Sequence, residues 1–148
     1  MPLHPIADFL RYHARFFTGK VKISPRSQAS LPGAPAGYHS FLTVAIKKPA
    51  AKPTAALCVK FRVPKINLWQ RVLLPYGSIP FFAGAPGFLS KTYLLNPQQK
   101  SFCGLYQWES AQAAQTYIDS YPGQFMRRNA LPGSVSFEIQ PIEYKGEE

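Results

Sequence analysis

Residues 86–117, PGFLSKTYLLNPQQKSFCGLYQWESAQAAQTY, contain the pattern that decides the fold of this chain. Two segments rich in aliphatic and aromatic side chains, 88–95 and 101–108, flank the turn-forming pair Asn96-Pro97. Apolar runs of this length on both sides of a turn predict two neighbouring strands. The stretch therefore predicts a β-hairpin that continues into a helix.

The flanking segments extend this hairpin into an α+β pattern. Downstream, Ser110 can cap a helix, and residues 135–139 alternate between apolar and polar side chains as a half-buried strand does. Upstream, residues 57–63 show the same period of two, and Asn67 can cap a helix that the breakers at 84–87 end. The predicted inner face of the first helix carries Leu68, Trp69, Val72, Leu73 and Tyr76, and that of the second carries Ala113, Ala114, Tyr117, Ile118 and Tyr121.

The resulting order, β-α-β-β-α-β in about ninety residues, is that of the ferredoxin-like fold. This α+β fold is a four-stranded antiparallel sheet with both helices on one face. Leaving an apolar sheet face in water is unfavourable, and so small a domain buries little surface of its own. Two copies that pair their open faces would remove both problems, so we expect a homodimer. We assign residues 55–145 to this domain.

Residues 1–54 form a basic N-terminal extension in this interpretation. Apolar residues at helical spacing between Ile6 and Phe17 predict a short amphipathic helix. A loop over 24–37, a strand over 38–46 and a linker over 47–54 are expected to follow it. The helix could lie on a membrane surface or pack on the domain, and we favour packing.

The net charge of +10 is distributed unevenly along the 148 residues. Residues 9–108 contain fourteen Lys and Arg and no Asp or Glu, so this segment attracts anions. Its basic residues are scattered and no RNA-binding motif accompanies them, so we expect no nucleic-acid partner. No apolar run is long enough to span a membrane. The two cysteines form neither a disulfide framework nor a metal site, give no sign of an activated thiolate, and favour a cytoplasmic location.

The hairpin region resembles a known superfamily. On these residues the chain is similar to the dimeric α/β-barrel superfamily, and within it to the YdhR-like monooxygenases. The order of elements extends the resemblance to residues 55–143. The extension has no counterpart in that superfamily, and Lys60 stands where this group more often carries an acid. The residues that carry the resemblance are Pro86-Gly87-Phe88 with Lys91 three positions on, Asn96-Pro97 at the turn, Gly104-Leu105-Tyr106, Trp108 followed by Glu109, and Ala114 and Tyr117 on the helix.

The resemblance implies a cleft between sheet and helices that holds an aromatic or polyketide-like substrate. Some members of the superfamily oxidise phenols to quinones without a cofactor, because the deprotonated substrate itself reduces dioxygen. By this analogy we expect neither a cofactor nor a metal, and Lys91, Lys60 or Arg62 could stabilise a phenolate or enolate. The candidate catalytic residues are Asn67, Trp69, Arg71 and Tyr106, and the candidate substrate-binding residues are Phe61, Tyr76, Phe82, Lys91, Tyr93, Trp108 and Tyr117.

Each candidate also has a structural explanation. Asn67 can serve only as a helix N-cap, the tryptophans as core or interface anchors, and the tyrosines as packing residues. Lys91 can be solvated or neutralised across the dimer. The function has alternatives as well: a cyclase or isomerase, a ligand-binding stress protein without catalysis, or a protein that binds anionic surfaces. The sequence leaves open whether the chain is an enzyme.

Overall fold

The computed structural model describes residues 5–17, 19–24, 35–47, 49, 51–67 and 73–142. The predicted hairpin, the helix capped by Ser110 and the flanking strands are all present within these ranges. The elements, in chain order, are α1 (Pro5–Phe17), β1 (Val21–Ser24), β2 (His39–Ile46), β3 (Ala55–Arg62), α2 (Leu74–Ala83), β4 (Phe88–Asn96), β5 (Ser101–Trp108), α3 (Ala111–Asp119), α4 (Tyr121–Asn129) and β6 (Ser136–Pro141).

These strands form one antiparallel sheet with the order β1-β2-β4-β5-β3-β6. The part β4-β5-β3-β6 is the four-stranded sheet of the β-α-β-β-α-β pattern, with β3 lying between β5 and β6. The buried side chains of β3, such as Leu57 and Val59, face the helices, while Cys58 and Lys60 lie on the opposite face. The predicted α+β, ferredoxin-like fold is therefore confirmed.

The N-terminal extension adds two strands to this sheet. β2 pairs with β4, and β1 pairs with β2, so β4 is an internal strand rather than an edge strand. The sequence predicts β2 but not β1, because the four residues of β1 are too few to show a period. Residues on both sides of the predicted boundary at residue 54 therefore belong to one sheet.

Helix α1 packs against α2 through two arginines. Arg11 Nη1 donates a hydrogen bond to the carbonyl oxygen of Gly84 at 2.6 Å, and Arg15 Nη1 donates one to that of Ala83 at 2.7 Å. Carbonyl groups at a helix C-terminus lack partners within the helix and carry the negative end of its dipole, so they attract cations. The helix of the extension thus packs on the domain. Within the described ranges, no helix has the length and hydrophobicity needed to cross a membrane.

The buried face of α2 differs from the predicted one. Tyr76 is 44% exposed, so the prediction that it faces the core is wrong, and Leu73, which directly precedes α2, is 53% exposed. The prediction carried one helical period forward from Asn67, whereas the described helix begins at Leu74 with Pro75 in its first turn. The other predicted inner-face residues of this helix, in 68–72, lie outside the described residues. The buried residues of α2 are Pro75, Ile79, Phe82 and Ala83.

Candidate functional site

A cavity of about 250 Å³ lies between the sheet and the helices. Strands β3, β4 and β5 form its floor, and α2, α3 and α4 form its roof. A concave, mostly apolar site with a few converging polar groups is the usual form of a small-molecule pocket. The polar side chains among its described lining residues are Ser78, Lys91, Tyr93, Tyr106 and Tyr117.

Lys91 faces this cavity because β4 contains a β-bulge. Phe88 faces the helices, and strict alternation along the strand would turn Lys91, three residues on, to the opposite face. The pairing of β4 with β5 shifts by one residue at Leu89, between Phe88 and Ser90. This extra residue reverses the alternation that follows it. Lys91 is therefore a cross-strand neighbour of Tyr106 on the helix side of the sheet.

The N-terminal extension completes the enclosure of Lys91. On the side of β4 away from β5, the cross-strand neighbour of Lys91 is Val44 of β2, which is fully buried. A lysine on an edge strand can extend its amine past the edge into water. Because β2 covers that edge, Lys91 is only 6% exposed.

Three aromatic rings surround the Lys91 amine. Nζ lies 3.9 Å from the ring centroid of Tyr93, 4.5 Å from that of Phe82 and 4.6 Å from that of Tyr106. Ring faces at these distances attract a cation, but they accept no strong hydrogen bond from it. Within the described part of the chain, Nζ has neither a hydrogen-bond acceptor nor a carboxylate partner. The cavity thus contains an amine without a counter-charge.

Burial decides the protonation of this amine. It lowers the pKa of Lys91 well below its usual range, because the ammonium form loses its hydration and gains no ion pair with a described residue in exchange. The three rings offset part of this cost. At a given pH, a larger fraction of Lys91 is therefore in the neutral amine form than of an exposed lysine.

Tyr106 and Tyr117 form a second polar group in the cavity wall. Their hydroxyl oxygens lie 2.9 Å apart and are buried. The two hydroxyl groups carry two protons and only one lies between them, so the other has no acceptor among the described residues and can bond to a ligand oxygen. Burial raises the pKa of both tyrosines, which keeps them protonated as hydrogen-bond donors.

Two further residues fix this arrangement. The Tyr93 hydroxyl donates to the carbonyl oxygen of Pro75 at 3.0 Å and contacts the Ser78 hydroxyl at 2.9 Å, which ties β4 to α2. Gly104 leaves the space that the Lys91 side chain and the Tyr106 ring fill. A Cβ atom there would lie 2.9 Å from Cε1 of Tyr106 and 3.1 Å from Cε of Lys91, which is too close for carbon atoms.

The structure brings together most of the predicted substrate-binding residues. Lys91 is neither solvated nor neutralised by a described residue of its own chain. Tyr76 lies on the exposed side of α2, and Trp108 lies behind the cavity wall, where its ring centroid is 5.1 Å from that of Tyr117. Asn67 is exposed and is not among the described lining residues, while Trp69 and Arg71 lie outside the described residues. The predicted residues that line the cavity are Phe61, Phe82, Lys91, Tyr93, Tyr106 and Tyr117.

The structure also pairs the two cysteines. Cys58 Sγ and Cys103 Sγ lie 3.5 Å apart, because the register of β3 with β5 makes these residues diagonal neighbours. The hydrogen bond from Cys103 lowers the pKa of Cys58 to about 7. This lowered pKa differs from the expectation, drawn from the sequence, of an ordinary thiol at Cys58. No sequence signal could have shown this, since the contact depends on strand register.

Comparison with known proteins supports the fold and leaves the function open. No protein family matches this chain, and no curated protein sequence matches it significantly. Among solved structures, it is similar to an anthrone oxidase-like protein with 16% identity and a TM-score of 0.52, over 72% of this chain and 54% of that one. The chain thus spans about half the length of that protein.

Two proteins from Listeria monocytogenes are similar over most of both chains. One is an uncharacterized ferredoxin fold protein related to antibiotic biosynthesis monooxygenases, with 12% identity and a TM-score of 0.55, over 90% of this chain and 88% of that one. The other is a heme-degrading enzyme, with 12% identity and a TM-score of 0.57, over 86% and 90%. At these identities the similarity shows the fold. It confirms the fold that the resemblance to the dimeric α/β-barrel superfamily implies.

Replacing Lys91 with methionine should stabilise the folded chain near neutral pH. The pKa of Lys91 is lower in the folded chain than in the unfolded one, so the unfolded chain binds more protons between the two values and stability rises with pH across that window. Below the lowered pKa, Lys91 is charged in both the folded and the unfolded chain, and the folded chain bears the full free-energy cost of burying the ammonium ion. Methionine has a similar length and no charge, so we expect a gain of about 1–3 kcal/mol in the free energy of unfolding at pH 7, measured with urea.

The gain should shrink as the pH approaches that at which a free lysine loses its proton. Lys22→Met, at an exposed position of β1, is the matched control and should change stability by less than about 0.5 kcal/mol. A Lys91→Met protein that is less stable than the wild type at pH 7 would contradict this interpretation of the site.

Proposed function

We propose that this chain binds a small aromatic compound with an acidic hydroxyl group, a phenol or an enol, and oxidises it as a cofactor-independent monooxygenase. The observation that carries this proposal is the buried Lys91 amine, which lies in an aromatic cavity without a counter-charge among the described residues. An anionic ligand would supply the missing charge. The aromatic walls would stack against its ring system.

Lys91 would accept the acidic proton of the ligand. A neutral amine can act as a general base here, because the ammonium ion and the ligand anion form next to each other and their attraction offsets part of the cost of charge in an apolar site. The resulting ammonium ion would lie close to three ring faces, the nearest at 3.9 Å from Nζ. The spare hydroxyl proton of the Tyr106–Tyr117 pair would bond to the oxygen of the ligand anion.

The deprotonated ligand would then react with dioxygen. An electron-rich enolate or phenolate can donate electrons to dioxygen directly. One oxygen atom would enter the ring as a carbonyl group, and the other would leave as water together with the two hydrogen atoms removed from the substrate. The words anthrone oxidase and monooxygenase in the names of two structural neighbours agree with this reaction type.

The third structural neighbour is named a heme-degrading enzyme, so heme is a ligand to consider. The cavity of this chain fits a smaller ligand. Pockets for drug-sized ligands occupy about 300–1,000 Å³. At about 250 Å³ this cavity is smaller. Its described lining residues include no histidine to ligate iron.

Trp69 and Arg71 stay proposed catalytic residues, as does Asn67, which is not among the described lining residues. In this proposal Trp69 and Arg71 contact the ligand, and Tyr106 contacts it from the sheet. Arg71 would then add a second positive charge for an anionic ligand.

The protein is also proposed to act as a homodimer. The sheet face opposite the helices carries half-buried side chains, including Thr43, Ala45, Ala56 and Leu105. A second copy on this face would cover them by two-fold symmetry. Light scattering at micromolar concentration should give twice the mass of one chain, and the mass of a single chain would rule the dimer out.

Ligand binding and oxygen consumption can be measured with 2-naphthol and anthrone. We expect the wild type to bind 2-naphthol in calorimetry and to consume oxygen with anthrone at a rate above that of buffer. Lys91→Met should weaken binding at least tenfold, about 1.4 kcal/mol, because it removes the proton acceptor. Lys22→Met should behave as the wild type.

The outcomes separate the candidate functions. Binding without oxygen consumption would reject the monooxygenase and favour a cyclase, an isomerase or a ligand-binding protein. Equal binding by the wild type and Lys91→Met would contradict the assigned role of Lys91. No binding of either compound would contradict the aromatic ligand class.

A further inference from the structure

We propose that the Lys91 amine also forms an imine with an aromatic aldehyde or ketone bound in the cavity. This inference rests on the proposed function in one respect only, the entry of aromatic ligands into that cavity. It adds a covalent activity and a second class of ligand, carbonyl compounds.

The surroundings of Lys91 set it apart from the other described lysines. Lys20, Lys22, Lys47, Lys52, Lys65 and Lys100 are exposed and Lys60 is half-buried, whereas Lys91 is buried and lines a cavity. No acceptor within the described residues holds its Nζ protons. A lysine that is desolvated in a hydrophobic pocket is activated as a nucleophile, because its lone pair is free of a proton more often. The lowered pKa of Lys91 agrees with this geometry.

The reaction balances without an oxidant or a reductant. Nζ attacks the carbonyl carbon, a C–N bond forms, and the π electrons of the C=O bond move to oxygen. One proton passes from nitrogen to that oxygen, which gives a carbinolamine. A second proton from nitrogen leaves with the hydroxyl group as water, and the C=N bond forms.

The Tyr106–Tyr117 pair is placed to assist this reaction. Lys91 and Tyr106 are cross-strand neighbours, with Nζ 4.6 Å from the Tyr106 ring centroid. A carbonyl group whose carbon is within bonding reach of Nζ can therefore direct its oxygen toward this tyrosine pair. The spare hydroxyl proton can bond to that oxygen and stabilise the negative charge that develops on it. The mainly apolar walls leave little water to hydrolyse the imine.

Reductive trapping tests this proposal. The wild type is incubated at pH 7 with a limiting amount of 2-naphthaldehyde and sodium cyanoborohydride, which reduces an imine to a stable secondary amine. Peptide mass spectrometry then gives the extent of labelling at each lysine. We expect Lys91 to be labelled at least tenfold more than the average exposed lysine, and excess 2-naphthol to reduce labelling at Lys91 only.

Variants and binding data separate this proposal from the proposed function. Lys91→Arg should lose the selective label, while Lys22→Met should keep it at Lys91. If calorimetry shows that 2-naphthol binds while Lys91 is labelled no more than exposed lysines, the imine proposal is overturned and the ligand site stands. If 2-naphthol does not bind and Lys91 is not labelled, both the imine proposal and the proposed function are overturned. Selective labelling of the native wild type that disappears in urea supports the imine proposal.

Discussion

The site depends on a lysine amine that the fold removes from water and to which no described residue gives an acidic partner. Lys91 has three aromatic rings within 4.6 Å of Nζ and no described carboxylate. Ring faces stabilise an ammonium ion only in part, so the folded state carries a cost that apolar side chains would not impose. A residue that costs stability in a protein interior is most simply understood through what it binds.

Other parts of the fold keep the Lys91 side chain buried and directed toward the helices. The bulge at Leu89 turns Lys91 toward the helices, and β2 closes the side through which its amine would reach water. Gly104 leaves room for the side chain, and the bond from Tyr93 to Pro75 fixes the nearest ring. The arginines of α1 hold the C-terminal end of α2 over the cavity. The extension thus takes part in forming the site, since without β2 the strand that carries Lys91 would lie at an edge.

The sequence predicts much of the fold because the fold follows local patterns. The period of two in β3 and the cap at Ser110 each need only a few neighbouring residues to be recognised. The buried face of α2 does not follow from a period counted from Asn67, because the described helix begins at Leu74 with Pro75 in its first turn. The orientation of Lys91 could not be derived from alternation, since one extra residue in β4 reverses it. The contact between Cys58 and Cys103 depends on register across two strands, which no local pattern shows.

The most direct test of the central claim is a measurement of the Lys91 pKa by NMR. Protein labelled with ¹³C at lysine Cε is titrated with base, and the Lys91 signal is assigned by its loss in Lys91→Arg. The account predicts that this signal titrates well below the other lysines and that its pKa rises when 2-naphthol binds, because the ligand anion stabilises the ammonium form. A Lys91 signal that titrates together with the exposed lysines and does not respond to 2-naphthol would contradict the account.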